Sequence, residues 1–88
     1  MTTYLGPEGV IAKKKAYLCP PSWNHFYQNP PQIVKGKMQY LYDHEGKKYL
    51  DGFAGVSVMN CGHCNEDILR ATIEQMQTLQ HTSIIYLT

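Results

Sequence analysis

Apolar positions recur most regularly near the C-terminal end of the chain. Leu69, Ile73, Met76 and Leu79 follow one another at helical spacing, with Ile68 and Thr72 alongside. The spacing predicts an amphipathic helix over Glu66 to Gln80. Asn65 is suited to cap it, and Glu66 and Asp67 bring negative charge to its first turn, where the helix dipole favours it. Further upstream the period shortens to two. Met38, Tyr40 and Tyr42 alternate with Gln39 and Leu41, which predicts a strand over Met38 to Asp43. Gln32 to Lys35 reads as a shorter strand before it. His44-Glu45-Gly46 reads as a tight turn, with Gly46 free to take a positive φ, and Lys47 to Asp51 as the return strand. Together these predict a β-hairpin. Gly52 breaks it. Phe53 to Met59 is small and β-branched and reads as extended, Asn60 to Cys64 as a loop, and Ser83 to Leu87 as extended and apolar.

The N-terminal third is less regular. Pro7 to Tyr17 reads as a short helix, with Pro7 and Glu8 suited to its first turn and Val10, Ile11 and Leu18 forming a thin apolar side. Cys19-Pro20-Pro21-Ser22 ends it, because proline cannot donate to the helix ladder. Trp23 to Pro31 is aromatic and irregular. Aromatics on a loop between prolines either plug a core or line a pocket. The chain thus divides into residues 1–31, a helix and an aromatic loop, and residues 32–88, a hairpin and a helix. The fold class is α+β within this piece.

Composition sharpens that picture. Of the 88 residues 43% are hydrophobic and only 17% charged, where about 25% charged is usual. A chain this short buries only about 60–65% of its unfolded surface. One short helix and a hairpin offer the apolar helical stripe an incomplete partner, so the chain reads as part of something larger. Net charge is +1, which argues against a basic nucleic-acid binder. The charge is uneven: residues 1–48 sum to +4 and residues 49–88 to −3. Lys13-Lys14-Lys15 is the only dense run and reads as a solvated helix face. The uncharged stretch Gly52 to Asn65 is too short to span a bilayer. Neither a secretory signal nor a transit peptide is visible at the N-terminus. Three cysteines, an odd number, point to a reducing compartment.

Candidate chemistry begins with Cys61-Gly62-His63-Cys64. A C-x-x-C between a strand and a helix suggests a thiol–disulfide redox site, in which the helix N-terminus would activate the first thiol. Asn60 stands where such enzymes usually carry tryptophan, and a hairpin precedes the motif where a βα unit is needed. The plainer alternative is two small residues flanking a turn. Structural zinc wants a second ligand pair, which is missing; Cys19 is remote, and His25, His44, His63 and His81 are scattered. Asp43, Glu45 and Asp51 read as turn and strand-end residues. No nucleophile elbow and no glycine-rich phosphate loop is present. No catalytic, cofactor-binding or metal-ligating residue is assigned from the residues themselves.

A family pattern is nevertheless carried by Gly36-Lys37-Met38-Gln39-Tyr40-Leu41-Tyr42-Asp43-His44-Glu45-Gly46-Lys47-Lys48-Tyr49-Leu50-Asp51 and its continuation Phe53 to Cys64. These resemble the N-terminal hairpin region of class III pyridoxal-phosphate-dependent aminotransferases. Leu79-Gln80-His81-Thr82-Ser83 with Tyr86 is similar to the end of that family's next helix. Upstream, Ala12 to Lys15, Tyr17-Leu18, Phe26-Tyr27 and Pro31-x-Ile33-Val34 also fit. The likeness is greatest to the alanine–glyoxylate aminotransferase 2 subgroup, which also contains phospholyase relatives. Asn65-Glu66 departs from it, since the family commonly shows His-Pro there.

The resemblance implies the N-terminal segment of a fold type I α/β enzyme: short helix, small antiparallel sheet, then one amphipathic helix. It implies pyridoxal phosphate as cofactor, amino acid and 2-oxo acid substrates, and a homodimer, with neither nucleic acid nor membrane as partner. The compartment it implies is mitochondrial or cytoplasmic. The lysine that carries the cofactor and the phosphate-binding loop lie on later segments in the family, so the piece alone is expected to be inactive. Gly55, Val56 and Ser57 correspond to positions that approach the substrate side chain, and Phe26 and Tyr27 to an aromatic wall of the same pocket. The alternatives are a small redox protein using Cys61 and Cys64, and a non-catalytic interaction module.

Overall fold

The computed structural model describes residues 3–87. Helix α1 spans Gly6–Tyr17, with Pro7 and Glu8 in its first turn. Beyond it, Pro20–Trp23 form a single 3-10 turn. The prolines therefore do more than stop α1. They fold the chain back so that the Trp23 indole N–H donates to the carbonyls of Lys14 and Leu18, both at 3.0 Å. The Lys14 carbonyl also accepts from the Leu18 N–H at 2.9 Å, so the indole adds a further donor at the helix end.

The predicted hairpin is the second half of a three-stranded antiparallel sheet in the order β1-β2-β3. Strand β1 is Ile33–Lys37, β2 is Tyr40–Asp43 and β3 is Lys48–Leu50. In β1–β2, Lys35 pairs with Tyr42 and Lys37 with Tyr40, with an irregularity between Ile33 and Lys35. In β2–β3, Tyr40 pairs with Leu50 and Tyr42 with Lys48. Met38, expected to open the second strand, lies outside it at φ +49°. It forms an isolated antiparallel bridge to His63.

The Asp43 carboxylate is what closes the hairpin. One oxygen accepts from the backbone N–H groups of Glu45 and Lys47, at 3.0 and 2.9 Å, and the other accepts from the Tyr49 hydroxyl at 2.9 Å. Burial alone would raise this carboxyl's pKa, but the donated hydrogen bonds outweigh it and the net shift is downward. The same bond to Asp43 pushes the Tyr49 phenol upward. Gly46 takes the positive φ, +88°, that the turn requires.

Phe53 to Met59 is not extended as the sequence suggests. Residues Ala54–Ser57 form a short helical turn, α2, of left-handed sense, with φ of +54°, +60°, +66° and +64°. Tertiary hydrogen bonds described below override the β-branched preference of this stretch. Helix α3, Glu66–Thr78, ends two residues short of the expected Gln80. Its cap is as expected, the Asn65 side-chain oxygen accepting from Asp67 and Ile68 N–H. Ser83 to Leu87, also expected to be extended, makes a turn in which Tyr86 N–H reaches the Ser83 carbonyl at 3.1 Å.

Among the described residues no hydrophobic side chain is buried, and Leu69, Ile73, Met76 and Leu79 stand 43–55% exposed along α3. The radius of gyration is 17.0 Å, against about 12 Å for a compact domain of this length. The solvent-exposed area of 7928 Å² likewise exceeds the roughly 5,300 Å² expected of a folded monomer of this mass. The faces that would form a core are present but unpaired.

Candidate functional site

The densest polar contacts outside the hairpin turn gather where the sheet meets the loop before α3. Asp51, one residue beyond β3, continues the ladder by donating its N–H to the Gln39 carbonyl at 2.8 Å. Its Oδ1 accepts from the backbone N–H groups of Phe53 and Ala54, at 3.0 and 2.9 Å. Its Oδ2 accepts from His63 Nε2 at 2.6 Å. The hydrogen bond from His63, then that from the Ala54 N–H, hold the Asp51 carboxyl below the usual carboxylate range. His63 and Met38 exchange both backbone hydrogen bonds, at 2.7 and 2.9 Å.

Two glycines make that approach possible. A Cβ on Gly36 would fall 2.9 Å from the His63 Cβ. Gly62 has φ +84°, and a Cβ there would fall 2.9 Å from the Met38 Cα. The loop thus lies directly on the sheet, and Met38, Asp51, Ala54, Met59 and Cys61 line a groove of about 370 Å³ beside it.

The left-handed turn α2 is the most strained part of the backbone. For an L-residue this conformation costs about 1–2 kcal/mol, and three of the four residues, Ala54, Val56 and Ser57, are not glycine. Val56 is β-branched, for which φ > 0 is a genuine outlier. Such strain persists only where surroundings over-determine it, and it collects at functional sites. Val56 is 69% exposed and only Ala54 of the strained residues is half-buried, so the described residues leave most of the turn uncovered.

The five residues expected to meet substrate fall in two separate places. Gly55, Val56 and Ser57 lie on α2. Tyr27 lines a different groove, of about 660 Å³, with Leu5, Pro7, Pro30, His44 and Tyr49, and Phe26 is fully exposed. The structure does not join the two sets. Asp51 and His63 were legible only as a strand-end residue and a loop histidine. An Asp before Gly at the end of a strand does signal a side-chain-closed turn, but no spacing rule links it to a histidine twelve residues on.

The C-x-x-C motif lies outside helix α3. Cys61 and Cys64 are both exposed, and they precede the cap residue Asn65, whose side-chain amide donates to the Cys61 carbonyl at 3.1 Å. The dipole's effect falls off within the first turn of a helix, so α3 is poorly placed to activate Cys61. Among the described residues, His, Cys, Asp and Glu nowhere gather in a group of three that could hold a metal ion. No described helix is long and apolar enough to cross a membrane.

Comparison with known proteins gives a consistent picture. Residues 24–88 match the family model described as aminotransferase class-III. The chain is 46% identical over 86 residues to the mitochondrial alanine–glyoxylate aminotransferase 2 homolog 2 of Arabidopsis thaliana, covering 96% of this chain and 18% of the relative. The acetylornithine aminotransferase of Elizabethkingia anophelis superposes with a TM-score of 0.79 at 28% identity, over 97% of this chain and 20% of that one. Taurine:2-oxoglutarate aminotransferase from Bifidobacterium kashiwanohense, solved with PLP and glutamate, superposes with a TM-score of 0.76 at 25% identity, over 99% of this chain and 19% of that one. The chain therefore spans about a fifth of the length of the proteins it matches. None of these matches supports the thiol–disulfide alternative.

Proposed function

The chain belongs to the class-III aminotransferases, and on that premise we propose that it forms the substrate-facing N-terminal part of an enzyme moving an amino group from an amino acid such as alanine to a 2-oxo acid such as glyoxylate. Gly55, Val56 and Ser57 approach the substrate side chain, and Phe26 and Tyr27, which this chain holds in a separate place, form an aromatic wall of the same pocket once the rest of the enzyme is assembled around them. The reading is carried by α2, a strained and uncovered turn of small residues held at a fixed place on the sheet. Small residues leave room for a substrate, and aromatic faces shape an amino-acid site. The enzyme is a homodimer, mitochondrial or cytoplasmic. The exposed stripe of α3 suits a chain whose apolar faces are covered by the rest of such an enzyme.

Class-III aminotransferases use pyridoxal phosphate, and the described residues of this chain do not by themselves fit it. Lys35, Lys47 and Lys48 lie over the rings of Tyr42, Tyr49 and Tyr40 on the sheet. Lys13, Lys14 and Lys15 lie on α1. The first turns of α1 and α3 carry Glu8, and Glu66 with Asp67, which repel the phosphate that a helix N-terminus otherwise attracts. The 88-residue chain mixed with the cofactor is accordingly expected to give only scattered, substoichiometric lysine adducts. One adduct per chain at a single lysine, read by absorbance and peptide mapping, would contradict this.

The proposal is tested in a hybrid enzyme in which this chain replaces the matching segment of the Arabidopsis thaliana relative. The hybrid is expected to convert alanine and glyoxylate to pyruvate and glycine, with kcat/KM within about 10-fold of the parent. A folded, cofactor-loaded hybrid without transaminase activity counts against the assignment.

A further inference from the structure

Asp51 joins three stretches of chain, two of them through its carboxylate. Its N–H is bonded to the Gln39 carbonyl just before β2, its Oδ1 takes the N–H groups that lead into α2, and its Oδ2 takes His63 from the loop that follows α2. The Asp51 side chain is 8% exposed and that of His63 19%, where no hydrophobic side chain among the described residues is fully buried. His63 is held from behind by its paired backbone bonds to Met38 and seated where Gly36 has no side chain. Both ends of the left-handed turn therefore lead back to the same carboxylate.

That arrangement answers a question the strain raises. Ala54, Val56 and Ser57 relax toward right-handed or extended backbone unless their neighbours over-determine them. The turn's own backbone bonds, Ser57 N–H to Phe53 at 3.0 Å and the Val58 and Met59 N–H groups to Ala54 at 2.9 and 3.0 Å, do not choose its hand, because a right-handed turn can make bonds of the same pattern. The hand is chosen at the two ends. We infer that Asp51 and His63 are positioning residues: their side-chain hydrogen bond latches α2 in its left-handed form and so sets where Val56 stands against the substrate. The inference rests on the reading that Gly55, Val56 and Ser57 face the substrate.

The readout is donor selectivity in the hybrid enzyme, the ratio of kcat/KM for alanine to that for a longer ω-amino donor. His63→Leu keeps an apolar side chain on the sheet but removes the donor, and it is expected to shift the ratio by about 10-fold or more. His63→Gln offers an amide N–H near the position of Nε2, and it is expected to keep the ratio within about 3-fold. An unchanged ratio in His63→Leu overturns the latch. So does an equal shift in both variants, which would mean that the ring packs rather than bonds. If His63→Leu alone yields no soluble enzyme, adding Ala54→Gly is expected to recover it, since glycine takes the left-handed form freely; failure to recover also overturns the inference. Val56→Tyr separates the two readings. If it moves the ratio while His63→Leu does not, the latch alone fails. If Val56→Tyr leaves the ratio unchanged, the substrate-facing reading fails and takes the latch with it.

Discussion

In the hybrid enzyme Val56→Tyr is expected to change the ratio of kcat/KM between alanine and a longer ω-amino donor by about 10-fold or more, because methylene-scale contacts in a pocket are worth about 1–3 kcal/mol of discrimination. Val56 stands in the middle of α2 at φ +66° and is 69% exposed. The backbone itself does not oppose the substitution. Valine is β-branched and fits a positive φ worse than tyrosine does, so the new ring adds no strain to the turn. What it adds is a wall. A long donor loses the space that Gly55 and Ser57 leave open, whereas alanine, with one methyl group, loses little. The competing outcome is that the rest of the enzyme buries Val56 in a core. The larger ring would then overpack it, at about 1–3 kcal/mol of stability. Melting temperature and the donor ratio, measured on the same protein, separate the two. A lower melting temperature with an unchanged ratio would remove Val56 from the pocket.

Gly62→Ala is expected to be strongly damaging for a single-methyl change, at about 2–5 kcal/mol, the sum of a left-handed residue and an overpacked contact. The position takes φ +84°, and the added Cβ would lie 2.9 Å from the Met38 Cα and 3.3 Å from its carbonyl carbon. Those are backbone atoms of a segment bonded both ways to His63, so neither side yields without breaking the bridge. Gly46→Ala is the matched control. Its φ is +88°, but nothing lies within 4 Å of the new atom, which leaves a conformational cost of about 1–2 kcal/mol. The melting temperature of the hybrid enzyme is therefore expected to fall clearly further for Gly62→Ala than for Gly46→Ala. Equal falls would mean that the loop does not lie against Met38 in the assembled enzyme.

Both expectations turn on the same small region, and its parts differ in how far they can be read from the residues. The start of α3 is legible because its cause is local: Asn65 caps donors two and three positions ahead of it, and the apolar stripe repeats within each turn. The β2–β3 hairpin is legible for the same reason, since Asp43, Gly46 and Tyr49 act on one another within six residues. The likeness to the aminotransferase family was legible in the ordered run from Gly36 to Cys64. The redox alternative came from the same kind of local cue, a C-x-x-C before a helix. It weakens because the matches to known proteins are to aminotransferases and none supports it.

The handedness of α2 had no such local cause. Phe53 to Met59 carries a β-branched composition, which favours extended backbone, and the expectation of an extended run followed from it. What reverses that preference is a carboxylate shared between Phe53, Ala54 and a histidine twelve residues away, together with a bridge from Met38 to His63 across twenty-five positions. Sequence alone determined α1, the start of α3 and the β2–β3 hairpin, whose hydrogen bonds close within a few residues, and the family to which they belong. Tertiary structure decided the turn between them, because a left-handed run of L-residues is unfavourable on its own and exists only where distant groups hold both its ends.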